Sequence, residues 1–94
     1  MNFEEFKSLL EKEVSSIKKF ELLEYQYHPY SFGSGILVYR IGGRNFKFSY
    51  DGRDKDIEID ISKSHEKYPQ CSWEKNMRFE DMTLCLESVN NIIS

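Results

Sequence analysis

The segment Asp51-Gly-Arg-Asp-Lys-Asp-Ile-Glu-Ile-Asp-Ile61 constrains this chain more than any other. From Asp56 to Ile61, acid and isoleucine alternate strictly. Successive side chains of a strand point to opposite faces of its sheet, so a period of two marks a strand with one wet and one dry side. Ile57, Ile59 and Ile61 are therefore expected in a core, with Asp56, Glu58 and Asp60 standing in a row on the other face. The row has two readings. It is a solvated edge strand whose charges block edge-to-edge pairing, or it is an electrostatic docking face for a basic partner.

The neighbouring segments fix a register for this strand. Gly42-Gly43 is a two-residue hairpin signal. A turn there pairs Ile41 with Arg44, Tyr39 with Phe46 and Leu37 with Phe48, which gathers Leu37, Tyr39, Phe46 and Phe48 on one face. Continuing across the Asp51–Asp56 loop sets Tyr50 against Ile57, Phe48 against Ile59 and Phe46 against Ile61. On the outer face Lys47 then meets Asp60, which gains a cross-strand partner, and Val38 lies across from Lys47. A slip of one residue would send the aromatic and isoleucine sets to opposite sides. Upstream, Leu23, Tyr25 and Tyr27 alternate with Glu24, Gln26 and His28, which predicts a half-buried strand ending at Pro29. Residues Tyr30 to Gly35 form a loop.

Helices bracket the strands. Asn2 is a good N-cap with Glu5 three residues on, and Met1 and Phe6 occupy the positions of a hydrophobic staple. Phe3, Phe6, Leu10, Ile17 and Phe20 recur at helical spacing. Near the other end, Phe79, Met82, Leu86, Val89 and Ile93 form a second stripe, which predicts a helix starting near Met77–Phe79 with Glu80 and Asp81 in its first turn. Residues Ser62 to Lys75 show no clear period and read as a long surface connection. The order α-β-β-β-β-α predicts an α+β fold, a four-stranded antiparallel meander flanked by the two helices in a single domain over residues 1–94.

Composition narrows the function. The chain has 94 residues, a formal net charge of -3 and 15% aromatic residues. That length suits one domain, and the aromatics give its core bulky filling. The negative balance argues against contact with nucleic-acid phosphates or an anionic membrane. No apolar run approaches the roughly 18–20 residues a membrane span needs, and Met1-Asn-Phe-Glu-Glu lacks the pattern of a signal peptide. A cytoplasmic protein is expected, with Cys71 and Cys85 as free thiols.

No motif for chemistry stands out. CxxC and HxxxH spacings are absent, and His65-Glu66 lacks the second histidine of HExxH. Asp54, Asp56, Glu58 and Asp60 lack the central glycine of a calcium loop. Gly33-Ser34-Gly35 is not GxSxG, and Cys71 with His65 makes a nucleophile only if tertiary proximity provides it. The expectation is a protein without metal or cofactor and without enzymatic activity.

A short acidic chain with aromatic-rich strands and no catalytic motif resembles the small immunity proteins of bacterial contact-dependent inhibition and related polymorphic toxin systems. The resemblance covers the whole chain in size and architecture. It has no signature motif, so no residue role comes with it. It implies a monomer or weak dimer that binds and neutralises a cognate toxin domain, a basic nuclease, without itself touching nucleic acid or membrane. On that reading the stretch from Asp54 to Asp60 mimics phosphate charge. Partner-binding residues are expected at Asp51, Asp54, Asp56, Glu58 and Asp60, with Tyr30, Phe32, Tyr68 and Trp73 as aromatic anchors. The alternative is a small acidic secretion chaperone or adaptor, which an exposed apolar second sheet face at Ile36 and Val38 would favour.

Overall fold

A computed structural model describes residues Met1–Ser94. Helix α1 spans Phe3–Ser15, strands β1 to β5 span Phe20–His28, Ser34–Ile41, Arg44–Tyr50, Ile57–Ser62 and Trp73–Phe79, and helix α2 spans Met82–Ile93. The strands form one antiparallel sheet in the order β1-β2-β3-β4-β5. The α+β meander is as expected, but the sheet has a fifth strand.

The expected registers hold. Gly42 and Gly43 both take positive φ, and the turn pairs Ile41 with Arg44, Tyr39 with Phe46 and Leu37 with Phe48. Across the next hairpin Tyr50 meets Ile57, Phe48 meets Ile59 and Lys47 meets Asp60. All three isoleucines are buried. They share a core with Phe3, Phe6, Leu10 and Val14 of α1 and with Cys85, Val89 and Ile93 of α2. Both helices therefore pack on one face of the sheet, and no helix covers the other.

The ends of α1 follow its signals. Asn2 Oδ1 accepts from Glu5 N at 2.8 Å, and Glu5 Oε1 accepts from Asn2 N at 3.2 Å, closing the capping box. The helix stops at Ser15, earlier than the apolar spacing indicated. Ile17 lies in the following turn, and Phe20 opens β1, where its ring meets Tyr39 at 5.5 Å. Leu23 falls at a bulge in β1. Beyond it Tyr25 and Tyr27 are about half exposed because β1 is an edge.

The C-terminal part departs most from expectation. The surface connection is only residues 63–72, and Trp73–Phe79 forms β5 beside β4. Phe79 pairs with Ile57 and does not begin the helix stripe. Asp81 is the N-cap of α2, accepting from Thr83 N at 2.7 Å and Leu84 N at 3.2 Å. The reason lies in alternation. Met77 and Phe79 face the core from an edge strand, and two apolar residues two apart, followed at once by a helix stripe, look like part of that stripe. Because β5 covers it, β4 is an inner strand. Its acids cannot serve as edge guards.

The alternation makes a direct prediction. Ile59→Ala should destabilise the protein by about 2–5 kcal/mol, whereas Glu58→Ala on the opposite face should stay within about 0.5 kcal/mol. Chemical denaturation measures both.

Candidate protein-binding face

The open face is a grid set by the registers. One cross-strand row holds Glu24, Val38, Lys47, Asp60 and Asn76, and the next holds Gln26, Ile36, Ser49, Glu58 and Arg78. β5 thus brings Asn76 and Arg78 beside the acidic row. Asn76 Nδ2 donates to Asp60 Oδ1 at 2.7 Å and to Glu58 Oε2 at 3.1 Å. Arg78 Nη2 lies 2.9 Å from Asp56 Oδ2, and this pairing raises the guanidinium's proton affinity. Arg78 is 64% exposed, so the pair is a rim contact of small energetic weight. Lys47 stands opposite Asp60 without forming an ion pair with it; the amide of Asn76 takes that carboxylate.

The five predicted acids therefore differ in role. Asp51 closes its own loop, its Oδ1 accepting from Arg53 N at 2.9 Å and Asp54 N at 3.3 Å. Asp56, Asp60 and, at the longer distance of 3.1 Å, Glu58 are engaged by β5. Glu58 and Asp54 remain exposed, and Asp54 engages no other side chain.

An open cleft of about 370 Å³ sits at this end of the face. It gathers Asp51, Asp56 and Glu58 with Phe32, Arg53 and Arg78. The Arg53 guanidinium lies 5.6 Å from the Phe32 ring centroid, within cation–π range. Phe32 has φ of 59°, and a Cβ on Gly52 would lie 1.9 Å from the Phe32 carbonyl oxygen. Only glycine permits that approach, which locks the β1–β2 loop against the β3–β4 loop. Gly52 N also donates to Ser34 Oγ at 2.9 Å. Tyr30 stands at the tip of the same loop, fully exposed.

Tyr68 and Trp73 lie elsewhere on the open face, with ring centroids 6.2 Å apart. Residues 63–72 cross this part of the face as a strap. The Glu66 carbonyl accepts from Asn45 Nδ2 at 2.7 Å and Arg40 Nη1 at 3.2 Å, and His65 N donates to the Gly43 carbonyl at 2.9 Å. Tyr68 Oη donates to Glu24 Oε1 at 2.6 Å. That bond pushes the phenol up to about 12 and holds the Glu24 carboxyl below its ordinary value, helped by Gln26. Asn45 and Ser62 are fully buried under this network, yet no buried side-chain nitrogen or oxygen lacks a partner.

The face thus unites most of the predicted residues but in two groups. Phe32, Asp51, Asp56 and Glu58 line the cleft; Tyr68 belongs to the strap, and Trp73 at the start of β5 packs beside it. Sequence reasoning missed Arg78 and Asn76, whose only signal was the Met77/Phe79 alternation, and Glu24, which read as an ordinary wet position.

Cys85 is buried among apolar side chains, which pushes its thiol up to about 12. No three of the histidines, cysteines and acids are placed to hold a metal ion, and no helix is long and apolar enough to cross a membrane. No protein-family model matches the chain, and no curated protein or solved structure matches it.

The strap bond sets a pH dependence. With its proton retained, Tyr68 stabilises the strap below the ordinary tyrosine value of 10.0, and the contribution is lost as pH rises to about 12. Glu24 acts oppositely: its contribution is present above the ordinary 4.5 and is lost as pH falls below it. Tyr68→Phe should remove the phenol step near 12 from an absorbance titration and speed amide exchange in residues 63–72.

Proposed function

We propose that the protein is a non-enzymatic immunity protein, acting in the bacterial cytoplasm, that binds and neutralises a cognate toxin domain with a basic surface, a nuclease. The observation that carries this reading is the exposed pair Asp54 of the β3–β4 loop and Glu58 of β4, at the end of the face where Phe32 and Tyr30 sit on a loop held to the β3–β4 loop at Gly52. Exposed carboxylates raise the encounter rate with a basic partner, and Phe32, already held by Arg53 and the Gly52 contact, loses little entropy on binding. The cleft suits a lysine or arginine side chain arriving between Phe32 and the acids, and Arg53 and Arg78 limit which partners fit.

The chaperone or adaptor reading expects an apolar second sheet face. Val38 on that face is fully buried, Ile36 is half-buried and their neighbours are polar. No observation favours that reading over an inhibitor.

The test is co-purification with the product of the adjacent upstream gene. A toxin-like C-terminal domain that binds and loses activity supports the proposal; a neighbour without one, and nothing basic retained, overturns it. Within a complex, Asp54→Lys with Glu58→Lys should slow association about tenfold and flatten its salt dependence. Unchanged kinetics would place the interface elsewhere.

A further inference from the structure

The two edges of the sheet are not alike. β5 carries Glu74, Lys75 and Arg78 on its exposed surface and a bulge near its start, all devices that discourage another strand from pairing. β1 contains no lysine, arginine or proline. Its one bulge falls between Leu22 and Glu24, so the run from Glu24 to His28 is regular. Along it Tyr25 and Tyr27 are 44% and 47% exposed. A regular run with one acid, no lysine, arginine or proline, and half-exposed tyrosines is a template for another strand.

We propose that this edge pairs with the same edge of a second copy, antiparallel and two-fold, with the axis at Gln26, to give a continuous ten-stranded sheet. Parity limits the choice. Opposed residues in an antiparallel pair share a face, so a two-fold axis must pass beside one residue and its own copy. An axis at Glu24 sets like charges directly opposite, which is destabilising. An axis at Tyr25 leaves Glu24 facing a neutral glutamine. The axis at Gln26 sets Glu24 opposite His28 of the second copy and Tyr25 opposite Tyr27 of the second copy, and it lies at the centre of the bulge-free run. Within one copy Gln26 already bonds to Glu24 and lies 3.2 Å from His28 Nε2, so these three side chains form a chain poised along the edge. The pairing leaves Asp54 and Glu58 free and does not depend on the inhibitor reading.

Sedimentation equilibrium from micromolar to millimolar protein tests it. The expected result is a reversible dimer that Q26K and Q26E both weaken about fivefold, because either charge meets its own copy at the axis. H28E should weaken it similarly by facing Glu24, while H28K retains it and controls for folding. A monomer throughout the range overturns the proposal. So does a dimer indifferent to both Gln26 variants, or one that they shift in opposite directions, which would mean a partner surface of one sign.

Discussion

The in-register packing of three strands holds this molecule together. Leu37 and Tyr39 of β2, Phe46 and Phe48 of β3, and Ile59 and Ile61 of β4 lie in successive cross-strand pairs and are all essentially fully buried. Because the strand period is two, one slip would exchange every one of them with Val38, Lys47 or Asp60 and present charge to the helices. The Gly42-Gly43 turn sets that register, both residues taking a φ that other side chains resist. The helices then have a single apolar surface on which to lie, and the opposite surface is left to the polar row, the strap and the cleft.

The two helices run in the same direction. Phe3 of α1 meets the strands near Gly35 and Tyr50, and α2 begins just after Phe79, which pairs with Ile57 at that same end. Lys18 after α1, and Ile92 and Ile93 of α2, lie together beside Gly42 at the other end. Their dipoles therefore add, each leaving about half a positive charge at its N-terminus. Glu4, Glu5 and Asp81 answer that charge directly, and the Asp51–Asp56 loop lies alongside, with Lys55 Nζ 3.1 Å from the Met1 carbonyl oxygen. The opposite end carries Lys18, Lys19, Arg40 and Arg44. The strand acids of the hairpin lie on the face away from the helices, where Asn76 and Arg78 reach Asp56, Glu58 and Asp60, while Asp54 engages no other side chain.

The open face divides into a rigid cleft and a strapped region. Buried hydrogen bonds at Asn45 and Ser62 tie residues 63–72 to β3 and β4. The side chains of the cleft are positioned by β5 and by the loop contact at Gly52.

The sequence by itself determined the features that repeat with a local period or sit in a local signal. The isoleucine alternation, the Gly-Gly turn, the capping box of α1 and hence the central registers were all legible, because strand parity and cap chemistry act over a few residues. The fifth strand was not legible, because its Met77/Phe79 pair is too short to separate from the helix stripe that follows. Which acids stay free was decided only in the tertiary structure. Asp56, Glu58 and Asp60 are equivalent along the chain; they differ because Arg78 and Asn76, some twenty residues away, arrive beside them on β5 and bind two carboxylates more closely than the third.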